Sequence, residues 1–199
     1  MNQPAIWIPE LVDIDSATYI MIHGQGPWED PQGSYAQACR ALRKIRSELA
    51  RNANCFDPAL KHAPLETFWW QQGALVLDLD DKKTLTWAAA MQVGDIGIDD
   101  FYAARHAVEE TLQCSCANVV LQTICEGCCA QIRHTGSYDN EKDTVATMMD
   151  FLAEQGYELN PWGFSPHHEI YLPLKDKGRQ GQWDTIFRRP VSPKKTIAS

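Results

Sequence analysis

The sequence contains 199 residues, of which 44% are hydrophobic and 22% are charged, a composition typical of a globular domain and unlike that of disordered or fibrous chains. Its formal net charge of −8 disfavours nucleic acid as a partner, and its apolar runs fall far short of the roughly 20 residues that a membrane span requires. Seven cysteines and an N-terminus without an export signal predict a cytoplasmic protein with reduced thiols.

The first half of the chain alternates between strand and helix patterns. Residues 17–26 ("ATYIMIHGQG") predict a strand that ends in glycines, and residues 34–51 predict an amphipathic helix. The apolar stripe of this helix consists of Tyr35, Cys39, Leu42, Ile45 and Leu49. Two strands are predicted next, at 65–72 and 84–93, and a second helix at about 98–113 joins the two halves.

The second half begins with two apolar segments on either side of Glu126-Gly127, a dipeptide that suits either a hairpin or a sharp bend. A third helix is entered through Asn140 and closed by Gly156, since glycine is the usual residue after a helix end. The last strands are predicted at 167–174 and 185–191.

The order strand, helix, strand, strand therefore occurs twice, which indicates an internal duplication. We predict an α+β fold in a single domain, 1–199, made of pseudo-repeats 17–95 and 117–191. Two short similarities support the duplication. "GPWED" at 26–30 and "GSYDN" at 136–140 each follow a strand and precede a helix, and Glu66 in "LETFW" is placed where Glu169 lies in "HEIYL".

The strand at residues 167–174 carries a carboxylate among large apolar residues. Side chains alternate along a strand, so Glu169 shares a face with Tyr171, and we expect the opposite, aliphatic face to meet the helices. In the first half, the same rule groups Glu66 with Phe68 and Trp70. Two such surfaces would form an aromatic cleft with acidic points, which is a common design for small-molecule sites.

Several alternatives remain open for these residues. Glu169 could form a salt bridge with an arginine such as Arg133 or Arg188, and Glu126 could be a turn residue. Zinc ligation is conceivable for the cysteine motifs at 114–116 and 125–129, but small buried thiols explain them more simply. His167 and His168 diverge on a strand and cannot easily share one ion, so we predict neither a metal nor a cofactor.

Four stretches resemble the stand-alone GyrI-like small-molecule-binding proteins: "PLETFWW" (64–70), "EGCCAQIRHTGSYDNE" (126–141), "HHEIYL" (167–172) and "TIFRRPV" (185–191). The resemblance implies a duplicated fold with antiparallel sheets that enclose a central ligand pocket, shared with effector-binding domains of MerR-type multidrug regulators. A helix-turn-helix module has no room before the pocket domain, so we expect no control of transcription by this chain alone. Thr67 departs from the glycine that is typical of the family at this position.

Stand-alone proteins similar to this one are associated with the hydrolysis of cyclopropanoid compounds. By this resemblance, the catalytic candidates are Glu169 and Glu126 as general bases, and Tyr171 or His134 as the donor to a developing oxyanion. The ligand-binding candidates are Glu66, Phe68, Trp70, Trp28 and Tyr138. The alternative is a binding or sequestering module without catalysis. In either case we expect a lipophilic small molecule as the partner, and a monomer or weak homodimer.

Overall fold

The computed structural model describes residues 7–52, 56–78, 81–112, 116–137, 140–160, 166–173 and 183–195. Its helices are α1 (Ser34–Asn52), α2 (Ile98–Leu112) and α3 (Glu141–Gln155), with a short 3-10 helix at Pro58–His62. Its strands are β1 (Glu10–Ile14), β2 (Ala17–Gln25), β3 (Leu65–Trp70), β4 (Thr86–Gln92), β5 (Val119–Ile124), β6 (Gly127–Gly136), β7 (Tyr157–Leu159), β8 (His167–Tyr171) and β9 (Trp183–Pro193).

The three helices lie where the sequence predicts them. In α1 the buried residues follow the helical spacing through Cys39, Leu42, Ile45 and Leu49. Helix α3 ends at Gly156, whose φ of 73° is in the left-handed region that favours glycine. The α+β prediction is confirmed, whereas strands β1 and β7 were not predicted because each is short and weakly patterned. No helix in the described ranges is both long and apolar enough to cross a membrane.

All strand pairs are antiparallel, and the main order is β1-β6-β9-β8-β3-β4-β2-β5, with β7 beside β9. Only two residues separate β5 from β6, although these strands lie near opposite ends of the order. Three peptide steps reach about 11 Å. The sheet must therefore curl until its ends come close together. Glu126-Gly127 forms a bend and not a hairpin, because β5 pairs with β2 and β6 pairs with β1 and β9.

The helices pack on one face of this sheet, and it is the face that carries Glu169. The residues paired with Glu169 on the neighbouring strands are Thr67 on β3 and Phe187 on β9. Phe187 belongs to the core cluster under α3, while Trp69, on the same face, belongs to the larger core cluster under α1 and α2. The expectation that the aliphatic face of β8 meets the helices is wrong. The curled sheet is buried on both faces, so the presence of apolar side chains does not show which face of β8 meets the helices.

Candidate functional site

A cavity of about 440 Å³ lies over the centre of the sheet, between α1 and the start of α3. Its floor comes from the adjacent central strands β3 and β8, which contribute Trp69, Glu169 and Tyr171. Glu169 is only 6% exposed, although it lines this cavity. Burial removes water from a carboxylate, so any group that enters the cavity meets a poorly hydrated charge or proton acceptor.

Aromatic side chains form one wall of the cavity. The ring of Trp69 lies 5.4 Å from the ring of Trp28 in an edge-on arrangement, and 5.3 Å from the ring of Tyr35. Trp28 comes from the segment after β2, Tyr35 from the first turn of α1, and Trp69 from β3. Three separate elements therefore supply a surface on which a flat or cationic molecule can stack.

Hydroxyl groups connect this wall to the floor. The hydroxyls of Tyr35 and Thr67 are 2.7 Å apart. The Tyr171 oxygen accepts a hydrogen bond from the Tyr35 hydroxyl at 3.5 Å and another from Nε1–H of Trp69 at 3.4 Å. These contacts fix the Tyr171 ring beside Glu169, which is two residues away on the same face of β8.

A second carboxylate, Glu141, meets Glu169 in the cavity. Glu141 is the first residue of α3, and both carboxylates lie near Nε2 of the buried His167, at 3.7 Å for Glu141 and 3.5 Å for Glu169. Burial, together with the charge of Glu169, raises the pKa of Glu141 to about 8. At neutral pH Glu141 therefore retains its proton.

Glu141, His167 and Glu169 could in principle bind a metal ion together, because their donor atoms all lie within 4.8 Å of one another. Burial lowers the pKa of His167 and outweighs the neighbouring Glu169 carboxylate, which would raise it; the positive charges of Arg189 and His168 lower it further. We assign no metal to this group.

The other face of the sheet holds a separate ionic network centred on His168, which is fully buried. Nε2 of His168 is 2.9 Å from Oε2 of Glu66, and Nδ1 is 3.0 Å from both carboxylate oxygens of Glu126. Arg188 donates to Glu126 at 3.1 Å, and Phe68 stacks on the imidazole with ring centroids 3.9 Å apart. These residues bind one another behind the cavity and do not line it.

The pKa shifts in this network indicate an imidazolium ion between two carboxylates. Burial alone would lower the pKa of His168, but hydrogen bonds to Glu126 and Glu66 outweigh it and raise the pKa. Burial would likewise raise the pKa of Glu126, yet His168 and Arg188 hold it below its usual value. A doubly hydrogen-bonded imidazolium is the form that satisfies both carboxylates.

The prediction that Glu66 and Glu169 face one cleft is therefore wrong. Across the β3·β8 pair, Glu66 lies opposite Ile170, whereas Thr67 lies opposite Glu169. A shift of one residue reverses the face of every side chain on a strand, so Phe68 and Trp70 also point away from the cavity. Likewise Glu126, predicted as a second base, reaches into the His168 network from the bend between β5 and β6.

The remaining candidates divide between the cavity and its surroundings. Trp28, Tyr171 and Glu169 line the cavity. His134 does not, because its Nδ1 lies 2.7 Å from the Thr144 hydroxyl and its Nε2 lies 3.1 Å from the Ser137 carbonyl oxygen. Tyr138 lies outside the described residues.

The structure also argues against two alternatives from the sequence, a salt bridge from Glu169 to Arg133 or Arg188 and zinc binding by the cysteine motifs. Arg133 donates to Asp184 at 2.6 Å and Arg188 pairs with Glu126, so neither of these arginines neutralises Glu169. In the cysteine motifs, Cys125 is exposed while Cys129 is buried, so these thiols do not converge on one ion; Cys114 lies outside the described residues.

Sequence reasoning missed Glu141, Tyr35 and His167 as parts of the site. The helical spacing of Tyr35 indicates only a place on the apolar stripe of α1, and strand alternation alone does not show what His167 contacts. Glu141 is the last residue of the "GSYDNE" segment, and an acidic residue in the first turn of a helix is ordinary enough to pass unnoticed. The three residues converge only through tertiary contacts.

A buried carboxylate in an aromatic cavity, on a curled antiparallel sheet with its helices on one face, defines a protein that binds small molecules. The family model described as the GyrI-like small molecule binding domain matches residues 9–186. The chain belongs to this family, which confirms the resemblance seen in its sequence motifs.

Solved structures show the same fold. An uncharacterized conserved protein from Listeria innocua is 28% identical with a TM-score of 0.77, over 93% of this chain and 92% of that chain. A hydrolase encoded by lin2189 from the same organism is 26% identical with a TM-score of 0.75, over the same shares. The C-terminal domain of EcmrR, at 16% identity and a TM-score of 0.60 over 94% of this chain and 99% of that chain, is similar in fold alone. Among curated proteins, none matches significantly.

Proposed function

We propose that this protein binds flat lipophilic compounds in the cavity and hydrolyses cyclopropanoids there, with Glu169 as the general base. The observation that carries the proposal is the buried carboxylate of Glu169 beside the wall formed by Trp28, Tyr35 and Trp69. The similarity to a Listeria innocua protein described as a hydrolase, at 26% identity over most of both chains, supports it.

The chemistry suits a cyclopropane ring that is conjugated to a carbonyl group. Water attacks a ring carbon while Glu169 removes a proton from that water, and the carbon–carbon bond breaks with its electron pair moving toward the carbonyl oxygen. The hydroxyl of Tyr171 donates a hydrogen bond to the developing negative charge. Because ring strain favours opening, base catalysis of about 10²- to 10⁴-fold is sufficient.

The test is incubation of the purified protein with a cyclopropanoid, followed by mass spectrometry of the products. We expect a ring-opened product that has gained one water. In Glu169→Gln, turnover should be abolished while the compound still binds, because the amide keeps the shape of the side chain but cannot accept the proton. Glu154→Gln, an exposed change on α3, is the matched control and should react like the wild type. Recovery of unchanged compound from the wild-type protein would contradict hydrolysis.

A second candidate function is non-catalytic binding of lipophilic cations. It is favoured by the buried Glu169 carboxylate in a cavity that is also lined by three aromatic rings, Trp28, Tyr35 and Trp69. A cation in the cavity gains both charge pairing and cation–π attraction. This candidate predicts saturable quenching of tryptophan fluorescence by cationic dyes without chemical change in the dye, and weaker binding in Glu169→Gln. Absence of quenching across a varied set of dyes would contradict it.

A further inference from the structure

The two carboxylates in the cavity are chemically different although they are the same residue type. Glu169 lies on a central strand beside Tyr171, whereas Glu141 lies at the start of α3. Both are buried, and the buried Nε2 of His167 lies 3.7 Å from Glu141 and 3.5 Å from Glu169, without a hydrogen bond of ordinary geometry among the described residues. Two like charges this close in a poorly hydrated site cannot both be ionised at low cost.

We infer that Glu141 is the catalytic acid of the site and that it gives its proton to the ligand while Glu169 takes one from water. The inference rests on the proposed hydrolysis and adds the second catalytic residue that such a reaction requires. It stands on geometry: both carboxylates line one cavity and both contact the same imidazole nitrogen.

With these residues, the reaction takes up one proton and releases one. As the water oxygen bonds to the ring carbon, its proton moves to Glu169. The ring bond breaks, its electron pair moves through the conjugated carbonyl group, and the carbonyl oxygen takes the proton of Glu141 to give an enol. Glu169 is then protonated and Glu141 is ionised. Transfer from Glu169 to Glu141 through Nε2 of His167 restores the starting state without exchange with solvent.

The surroundings of Glu141 favour a neutral carboxyl group in spite of nearby positive charge. Its burial and the charge of Glu169 raise its pKa, against the opposing influence of the α3 N-terminus. Charged and titratable groups surround Glu141 on four elements. They are Lys142 on α3; His167, Glu169 and Tyr171 on β8; Arg189 on β9; and, across the cavity, Tyr35, Arg40 and Arg43 on α1. Arg40 and Arg43 are exposed, so water screens their influence.

The pH dependence of kcat/KM for a cyclopropanoid tests this role. In the wild type, kcat/KM should fall above about pH 8 as Glu141 loses its proton. Glu141→Gln should lower kcat/KM by about 10²- to 10⁴-fold and remove the fall on the alkaline side. Glu141→Asp should recover part of the activity together with the alkaline fall. Glu154→Gln, on the exposed side of the same helix, should leave the profile unchanged.

A direct measurement does not depend on turnover. Carbon NMR of protein labelled at the glutamate carboxyl carbons should show one signal that titrates on the alkaline side of neutrality and is absent in Glu141→Gln. If no carboxyl titrates there, or if Glu141→Gln keeps both the wild-type rate and the alkaline fall, the acid role is overturned while hydrolysis stands. If the wild type hydrolyses no cyclopropanoid, the proposed function fails, and with it the role of Glu141 as donor, whatever the NMR titration shows.

Discussion

Thr67 lies directly opposite Glu169 in the β3·β8 pair, and the adjacent Glu66 therefore points to the other face of the sheet. Two buried carboxylates one strand apart thus have different partners. Glu66 neutralises the imidazolium of His168 in the interior, whereas Glu169 lines a cavity that is open to ligand. This separation leads to different expectations for mutations on the two faces.

The network around His168 should contribute strongly to stability. In His168→Gln, Glu66 and Glu126 lose the positive charge between them, and the free energy of unfolding should fall by about 3–5 kcal/mol, the usual cost of breaking a buried ion pair. Urea unfolding followed by circular dichroism measures this. The control is His106→Gln, since His106 and Glu110 form a similar pair on the exposed surface of α2 and should contribute little. Equal losses in the two variants would contradict the network's role.

The stability of the wild type should decrease as the pH rises above about 6.5. The folded-state pKa of His168 is raised above its ordinary value of 6.5, so its contribution is complete below 6.5 and is lost as the pH rises through the folded value. His168 alone should contribute a slope of about 1.4 kcal/mol per pH unit at most. Glu126, whose pKa is lowered from 4.5, contributes above 4.5 and loses that contribution as the pH falls through its folded value.

Unfolding free energies of the wild type and His168→Gln, measured across this pH range, separate the contribution of His168 from other titrations. The difference between the two proteins should be largest between pH 4.5 and 6.5 and should shrink on either side. Parallel curves throughout would show that His168 has the same pKa in the folded and unfolded chains.

The sequence predicted the helices and the cavity side of β8 because each depends on a local pattern. The helical spacing of Cys39, Leu42 and Ile45 fixes the buried side of α1, and alternation along β8 places Glu169 and Tyr171 on one face. Neither inference requires knowledge of a distant residue.

The rest of the site depends on register and on long-range contacts, which local patterns do not encode. The similarity between the two halves matches Glu66 with Glu169, whereas the β3·β8 register pairs Thr67 with Glu169. This difference of one residue is why the sequence predicts the wrong face for Glu66. His168 meets Glu126 and Glu66, which are 42 and 102 residues away in the sequence. Glu141 meets Glu169 only because α3 begins above β8. Such contacts follow from packing and not from periodicity.

Filling the cavity from α1 should block ligand binding without unfolding the protein. Ala36 is half-buried and lines the cavity, so the phenyl ring in Ala36→Phe occupies space that a tricyclic ligand needs. Affinity for a cationic acridinium dye, measured by tryptophan quenching, should fall at least about tenfold. Ala103→Phe, on the exposed side of α2, is the matched control. An unchanged Kd in Ala36→Phe would place the ligand elsewhere.

Removal of one hydroxyl should separate catalysis from binding. Tyr171→Phe keeps the ring but loses the oxygen that accepts from Tyr35 and Trp69 and that, in the proposed reaction, donates to the oxyanion. The single-turnover rate of cyclopropanoid hydrolysis should fall about 10²- to 10³-fold, as is usual when one oxyanion donor is removed, while the Kd changes little. Tyr102→Phe, on the exposed surface of α2, should behave as the wild type. A full rate in Tyr171→Phe would exclude this hydroxyl from the reaction.

The most direct test of the account is a crystal structure of the protein with N-methylacridinium bound. We predict that the tricyclic ring packs against the wall formed by Trp28 and Trp69 inside the cavity, with its charged nitrogen within about 6 Å of the Glu169 carboxylate. A ligand bound outside this cavity, or a Glu169 side chain that is paired with an arginine or turned toward bulk water, would contradict the role given to Glu169.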